Sequence, residues 1–267
     1  MRIKGILLLA FLTGSVMCHA QRGMDSFFAT TSADHQVITK AMTDMNDFVQ
    51  QATEGRGSDL KRLHRMVRKA HSSFLKSYSP YADFDALFAN GTYDCLTATA
   101  FFSTVLTEMR MDFDVVETNY HIFIMVKTAE GEVLLETTDG LFGLITDPNE
   151  INKRTNIYRT VGPSAISANQ SSYQYTFKLY DKVPVNKLPG LMHYNQAVKA
   201  YNRADWIGCA EQLEKAYASY PSQRCREFAD ILVRTILIRD LKDQVKRDCL
   251  NHLKPLMLVG SGLIAAN

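Results

Sequence analysis

Residues 91–138 decide the fold of this chain, and they read GTYDCLTATAFFSTVLTEMRMDFDVVETNYHIFIMVKTAEGEVLLETT. Apolar residues recur every three or four positions through the first part of this stretch, a spacing that predicts a helix over residues 95–110. The apolar side of that helix is formed by Phe101, Phe102, Val105, Leu106 and Met109. The pattern then becomes extended and predicts three strands, at residues 113–118, 120–127 and 133–138.

The order of these elements indicates the fold class. Two helices, over residues 34–51 and 59–78, are predicted before the stretch, and a turn at 129–131 joins its last two strands as an antiparallel hairpin. Helices followed by an antiparallel sheet indicate an α+β fold. Residues 140–172 are predicted as surface loops or a flap over the sheet, and residues 173–180 as one more strand.

The chain changes character near residue 190, where two prolines and a glycine interrupt it. Beyond this point only helices are predicted, and part of their spacing fits one tetratricopeptide unit. We therefore predict a first domain over residues 21–185, a small all-α helical-hairpin region of tetratricopeptide-like type over residues 190–255, and a tail over residues 256–267.

The first 20 residues are predicted to be a cleavable signal peptide. Arg2 and Lys4 form a basic start, residues 6–16 are apolar, and Ala20 precedes the cleavage point before Gln21. The apolar run is too short to cross a bilayer, which needs about 20 residues. We therefore expect an exported protein, periplasmic or secreted, without a membrane span after cleavage.

The charge balance argues against nucleic acid as a partner. The chain has 30 Lys and Arg residues and 28 Asp and Glu residues. Arg2 and Lys4 leave with the signal peptide, so the mature chain carries no formal net charge. A phosphate backbone binds to a one-sided basic surface, which this composition does not provide.

Four cysteines remain after cleavage, and their spacing does not match a zinc site. Cys209, Cys225 and Cys249 cluster near the C-terminus, where export is compatible with a disulfide between two of them, and the pairing stays open. Cys95 lies more than a hundred residues before this cluster. Since no phosphate-binding glycine loop or zinc-protease motif occurs either, no cofactor and no metal are expected.

Cys95 is at a position where a nucleophilic thiol is stabilised. It opens the predicted helix, and the free backbone amides and the helix dipole at such a position favour a thiolate. The neighbouring Asp94 disfavours a thiolate unless its side chain caps the helix. The alternative interpretation of Cys95 is a small residue packed at the start of the helix.

His121 and Glu136 lie on the two strands of the predicted hairpin. A histidine beside a cysteine accepts the thiol proton, and an acid orients the imidazole and stabilises its charged form. The residues therefore predict a site with Cys95 as nucleophile, His121 as base and Glu136 as orienting acid. A tight hairpin centred on Glu130 would instead place Asp139 opposite His121, which makes Asp139 the alternative orienting acid.

Three segments of this region, GTYDC at 91–95, HIF at 121–123 and LETT at 135–138, resemble the core of the transglutaminase-like superfamily, a papain-like cysteine fold. The resemblance implies a helix-plus-antiparallel-sheet core and the same roles for Cys95, His121 and Glu136. The family usually has an Asp-Pro segment where this chain has Glu136 and Thr137. It includes crosslinking enzymes, peptide amidases, cysteine proteases, inactive scaffolds and bacterial proteins with tetratricopeptide-like helices after the core.

Two functions are compatible with these observations. The first is an exported cysteine enzyme that hydrolyses amide bonds or transfers acyl groups through a thioester at Cys95. The second is a catalytically inactive transglutaminase-like scaffold that binds a protein or peptide in the cell envelope. A protein or peptide is the expected substrate or partner, and the oligomeric state stays open. For the enzyme, the backbone N–H of Cys95 is one expected oxyanion donor, and Tyr93 and Asn119 are candidates for the second.

Overall fold

The computed structural model describes residues 17–160 and 178–261. Its helices are α1 Met17–Phe28, α2 His35–Thr53, α3 Asp59–Ser73, α4 Phe84–Ala89, α5 Cys95–Glu108, α6 Pro148–Thr160, α7 Leu188–Asn202, α8 Trp206–Ser219, α9 Gln223–Ile238 and α10 Asp243–Ser261. Its strands are β1 Ser77–Tyr78, β2 Thr92–Tyr93, β3 Asp112–Thr118, β4 Ile122–Thr128, β5 Gly131–Leu135, β6 Leu144–Ile145 and β7 Tyr180–Lys182. The prediction of a mixed chain of helices with an antiparallel sheet is confirmed.

The main sheet has five strands in the order β6-β5-β4-β3-β7, and its neighbouring strands are antiparallel. β4 and β5 form the predicted hairpin, with Thr128 opposite Gly131 at its turn. β1 and β2 form a separate parallel pair. Because β2 ends directly before the first turn of α5, this pair fixes where α5 begins.

Helix α5 lies in the centre of the larger apolar core. Its residues from Leu96 to Leu106 are all buried, and a helix that is buried on every side has to be surrounded by other elements. Helices α1, α2 and α7 and strands β3 and β4 pack around it. Its first residue, Cys95, is partly exposed, so the helix extends from the core to the surface at this end.

Helix α6 shows that the prediction of loops over residues 140–172 is wrong for Pro148–Thr160. Pro148 is the first residue of α6, and the Asp147 side chain accepts hydrogen bonds from the N–H groups of Asn149 and Glu150. Periodicity misses the helix because its buried residues are only Ile151 and Thr155. Residues 161–172 of the predicted flap lie outside the described residues.

The two faces of the main sheet are covered differently. On one face, Ile122, Ile124 and Val126 belong to the larger core with α5. The alternate residue Phe123 belongs to a smaller apolar cluster with Ile151 of α6. Since successive side chains of a strand point to opposite faces, α6 covers the face opposite α5. The last strand, β7, begins at Tyr180, and residues 173–177 of the predicted strand over 173–180 lie outside the described residues.

Most of the predicted signal peptide lies outside the described residues, which begin at residue 17. Helix α1 continues past the predicted cleavage point, and its Met24, Phe27 and Phe28 are buried in the larger core. All three residues follow Gln21, so they belong to the predicted mature chain.

Helices α7 to α10 enclose a second apolar core, which includes Trp206 and Leu213. Cys209, Cys225 and Cys249 are buried thiols, and the part of the chain that the structure describes contains no disulfide. Helix α10 runs on through the predicted boundary at residue 255, and residues 262–267 lie outside the described ranges. Within residues 17–160 and 178–261, no helix combines the length and the apolar character needed to cross a membrane.

Helices α7 and α8 approach closely at Gly190. A Cβ atom on Gly190 would lie 2.6 Å from the Tyr220 Cβ and 2.9 Å from its backbone nitrogen. We therefore expect Gly190→Ala to lower the free energy of unfolding by about 1–3 kcal/mol, the usual cost of overpacking, even though alanine favours a helix.

The matched control is Gly23→Ala in α1, where no atom lies within 4 Å of the added Cβ. That change should leave stability unchanged or raise it slightly, since alanine is the better helix former. Chemical denaturation of the two variants measures the difference. Equal midpoints for Gly190→Ala and the unchanged protein would contradict the close approach.

Candidate active site

Cys95 is the first residue of α5, and Asp94 is the N-cap of this helix. Asp94 Oδ1 accepts a hydrogen bond from the N–H of Thr97 at 2.8 Å, and Thr97 Oγ1 accepts one from the N–H of Asp94 at 2.9 Å. This reciprocal pair is a capping box, which fixes the first turn. The Cys95 thiol therefore lies at the positive end of the α5 dipole.

The negative charge of Asp94 would disfavour a thiolate at Cys95 unless its side chain capped the helix. The structure shows that the Asp94 carboxylate does cap α5. Burial raises the pKa of Asp94, and hydrogen bonds from Thr97 and from the Asn195 side chain oppose that effect. Asn195 Nδ2 donates to Asp94 Oδ2 at 3.2 Å. Since Asn195 lies on α7, the helical C-terminal region takes part in holding the start of α5.

His121 is held by a tight turn between β3 and β4. The N–H and the hydroxyl of Thr118 donate to the carbonyl of His121 at 2.8 and 3.0 Å. The N–H of His121 donates back to Thr118 Oγ1 at 3.0 Å. Three hydrogen bonds across four residues fix the backbone from which the imidazole projects.

His121 and Glu136 form a short, buried contact. His121 Nε2 lies 2.6 Å from Glu136 Oε2, and the Glu136 side chain is only 6% exposed. The β4-β5 register has Ile124 opposite Leu135, one residue offset from a hairpin centred on Glu130. This offset brings Glu136 diagonally across from His121, and a glutamate side chain spans that diagonal.

Asp139 does not contact His121 in this way. Its Oδ1 accepts hydrogen bonds from the N–H groups of Leu141 at 3.0 Å and Phe142 at 2.8 Å, so its carboxylate builds the loop after β5. Of the two acids that the sequence offers, the structure therefore brings Glu136 to the histidine.

The pKa values of the pair reflect this contact. Burial alone would lower the pKa of His121, but hydrogen bonds with Cys95 and Glu136 and their negative charges raise it to about 10. Burial would likewise raise the pKa of Glu136, but the hydrogen bond and the charge of His121 hold it below its ordinary value. With Nε2 on Glu136, the other ring nitrogen, Nδ1, is the one available to Cys95. The geometry therefore favours a charged imidazole between Cys95 and the Glu136 carboxylate.

Tyr158 of α6 is a site residue that sequence reasoning missed. Its hydroxyl donates to Glu136 Oε1 at 2.6 Å, and its ring centroid lies 5.2 Å from that of His121. Burial and the Glu136 charge raise the pKa of Tyr158, so it stays protonated and keeps donating. The one sequence signal for its position is the four-residue spacing of Ile151 and Thr155, the two buried residues of α6.

Thr137 links the acid to the helix that carries the thiol. Its hydroxyl lies 3.2 Å from Thr99 Oγ1 and 3.3 Å from the carbonyl of Cys95. His71 of α3 is half-buried beside it. Burial lowers the pKa of His71, and a backbone hydrogen bond with Thr137 partly opposes that effect. These contacts fix the distance between α5 and the end of β5.

The two expected candidates for a second oxyanion donor each make a side-chain hydrogen bond to the backbone. The Tyr93 hydroxyl donates to the Thr138 carbonyl at 3.4 Å, and Asn119 Oδ1 accepts from the Leu179 N–H at 2.9 Å. A different tyrosine, Tyr78, lies near the thiol. Burial, followed by the charges of Cys95 and Asp94, raises the pKa of Tyr78, so its hydroxyl is a proton donor at neutral pH.

The arrangement can perform nucleophilic chemistry, because a thiol, a base and an orienting acid are neighbours in this site. Within the described residues, no group of three or more His, Cys, Asp or Glu side chains is arranged to hold a metal ion. Comparison of the chain with protein-family models, with curated proteins and with solved structures gave no match. The functional argument therefore rests on the residues of this site.

The His121 imidazole should remain charged well above neutral pH. We expect it to titrate with a midpoint of about 10 in the unchanged protein, and at a lower pH in Glu136→Gln, which removes one of the charges that stabilise the imidazolium. NMR of the histidine ring nitrogens measures both midpoints. His64, on the exposed side of α3, is the internal reference, and its resonances should not respond to Glu136→Gln. A midpoint near 6.5 for His121 would contradict the ion pair.

Glu136 should stabilise the fold at neutral pH and lose this contribution in acid. Because its pKa is lowered in the folded state, its contribution is present above about pH 4.5 and is lost as the pH falls through the folded value. We expect the stability advantage of the unchanged protein over Glu136→Gln to shrink below pH 4.5, by at most about 1.4 kcal/mol per pH unit. Urea denaturation across this range measures it. The exposed Glu132→Gln is the matched control and should run parallel to the unchanged protein.

Proposed function

We propose that this chain is an exported, transglutaminase-like cysteine enzyme that acts on amide bonds of a protein or peptide, by hydrolysis or acyl transfer. The observation that carries the proposal is the position of His121, which lies 2.6 Å from Glu136 on one side and has Cys95 as its neighbour on the other, where Cys95 helps to raise the His121 pKa. The order of a cysteine-bearing helix and two antiparallel strands supports the transglutaminase-like assignment, which is an analogy at the level of the fold.

In the first step, the Cys95 thiolate attacks the carbonyl carbon of the amide and forms a C–S bond. The carbonyl oxygen becomes an oxyanion, which the Cys95 N–H at the start of α5 can bind. The His121 imidazolium then donates its proton to the departing amide nitrogen. The C–N bond breaks, the amine leaves, and a thioester remains on Cys95.

In the second step, the now neutral His121 accepts a proton from the incoming nucleophile. Water attacks the thioester in hydrolysis and yields a carboxylic acid, whereas an amine attacks in acyl transfer and yields a new amide. The C–S bond breaks, and Cys95 and His121 return to the ion pair. Glu136 keeps the imidazole oriented and balances its charge in both steps.

Two tyrosine hydroxyl groups support these steps and stay protonated throughout. Tyr158 donates to the Glu136 oxygen that does not contact His121, which leaves the other oxygen for the imidazole. Tyr78 is proposed as the second oxyanion donor, because its side chain lies near Cys95 and the residue is 54% exposed, open to a bound substrate. The sequence positions of Tyr158 and Tyr78 do not by themselves predict either role.

The rate of alkylation of Cys95 by iodoacetamide tests the proposal. We expect fast labelling at pH 6, where an ordinary thiol, with a pKa of about 8.5, reacts slowly. In His121→Ala the rate at pH 6 should fall by at least about tenfold, because the thiolate loses its counter-ion. Glu136→Gln should give an intermediate rate, since the imidazole remains but loses its orienting acid.

Two controls separate Cys95 from the rest of the protein. Cys95→Ser measures the background from Cys209, Cys225 and Cys249, which are buried and should react only on unfolding. His64→Ala changes an exposed histidine and should leave the rate at pH 6 unaltered. Labelling that is slow at pH 6 in the unchanged protein and indifferent to His121→Ala would reject the enzyme and leave a transglutaminase-like scaffold that binds a protein or peptide.

A further inference from the structure

The turn that carries His121 is bound from outside by helix α9. Arg224 Nη2 donates to the carbonyl of Thr118 at 2.8 Å and approaches the carbonyl of Asn119 at 3.3 Å. These are the first two residues of the turn that ends at His121. A guanidinium that bonds two successive carbonyls fixes the direction of the peptide between them, because its donors are planar and rigid.

Arg224 is itself held in place by a buried ion pair. Its Nη2 lies 3.1 Å from Glu117 Oε1, and the side chains of Arg224 and Glu117 are 11% and 3% exposed. Burial raises the pKa of Glu117, and the charge of Arg224 and the neighbouring Tyr220 hydroxyl oppose that effect. The Arg224 guanidinium lies over the Tyr194 ring at 5.1 Å. Removing one partner of a buried pair leaves the other as an uncompensated buried charge, so the two side chains are held together.

The Thr118–His121 turn is also held on its other side. Asn119 Oδ1 accepts from the Leu179 N–H, directly before β7. The hydrogen bonds between Thr118 and His121 then pass this constraint to the backbone of the histidine. Helix α9, although distant in sequence, therefore bears on the direction in which the imidazole leaves the chain.

We propose that Arg224 is a positioning residue for His121, through which the C-terminal helices align the Cys95, His121 and Glu136 site. The inference rests on the proposed function, because it assigns Arg224 to the reactivity of that site. A misplacement of about 1 Å in such a group costs about a hundredfold in rate in other enzymes. Anything that moves α9 relative to the sheet would in this way change the reactivity of Cys95.

Two variants test the role of Arg224. Arg224→Lys keeps a positive charge beside Glu117 but replaces the planar fork by one ammonium group. The double variant Arg224→Met with Glu117→Gln removes both charges, so that no unpaired carboxylate is buried. In both we expect alkylation of Cys95 at pH 6 to slow by about tenfold, the factor that corresponds to one lost hydrogen bond from a charged donor. The NMR midpoint of His121 should fall in both.

The matched control is Arg226→Met, two residues further along α9, where the Arg226 guanidinium contacts only the Tyr217 hydroxyl at 3.4 Å among the described hydrogen bonds. It should label as fast as the unchanged protein. Unchanged rates and an unchanged His121 midpoint in both Arg224 variants would overturn the proposal. Loss of folding in both, with Arg226→Met folded, would assign Arg224 to stability alone and would also overturn it.

The NMR midpoint separates the failure of this inference from the failure of the proposed function. If the unchanged protein labels slowly at pH 6, the enzyme is rejected. A His121 midpoint that still moves with the Arg224 variants, and not with Arg226→Met, would then support positioning without catalysis. Slow labelling of the unchanged protein together with a His121 midpoint that the Arg224 variants do not move would reject both the enzyme and the positioning role of Arg224.

Discussion

The rest of the structure depends on the burial of helix α5. A helix without a polar side cannot lie on a surface, so α1, α2, α7 and the sheet enclose it. Its N-terminus is the place where the backbone must reach polar partners, and Asp94 and Thr97 provide them. At this end of the helix, the side chain left at the rim of the core is Cys95. Burial of the helix and exposure of the thiol are therefore two consequences of the same packing.

The polar groups of the site are arranged around the positive charge of the His121 imidazole. His121 lies among buried groups that would on their own favour its neutral form, and Glu136 and Cys95 reverse that preference. Glu136 is in turn satisfied at both oxygens, by His121 and by Tyr158. A buried carboxylate with both oxygens bonded avoids the cost of an unpaired charge. The same contacts that keep the fold intact at neutral pH thus keep the imidazole charged and oriented.

The helical C-terminal region reaches the site through a few polar contacts. Asn195 bonds the cap of α5, Arg224 bonds the turn before His121, and Lys199 pairs with Asp83 at the start of α4 at 2.8 Å. Each contact joins a side chain of α7 or α9 to a point where a helix or strand of the first region begins or ends. Such points have free backbone or capping groups, which is why they accept partners from outside. The second region therefore bears on the site without supplying a reacting atom.

The sequence alone predicted a mixed fold of helices with an antiparallel sheet and the residues of the candidate site. The uninterrupted apolar pattern after Cys95 and the change to alternating strands predicted α5 and the β4-β5 hairpin, because these patterns are local properties of the chain. Cys95 and His121 followed from residue type and from their place near the ends of those elements, and Glu136 and Asp139 followed as two candidate acids. The choice between Glu136 and Asp139 did not, because a shift of one residue in the hairpin register changes which acid faces the histidine.

Only the tertiary structure decided which groups surround these three residues. Tyr158 lies on a mostly polar helix with two buried positions, too few for periodicity to detect. Tyr78 and Arg224 are separated from their neighbours by stretches of chain that no local pattern bridges. Their positions follow from how α6, the β1-β2 pair and α9 pack on the sheet and on α5. Local periodicity reports which side of an element is apolar, whereas the partner that covers that side is set by the packing of the whole chain.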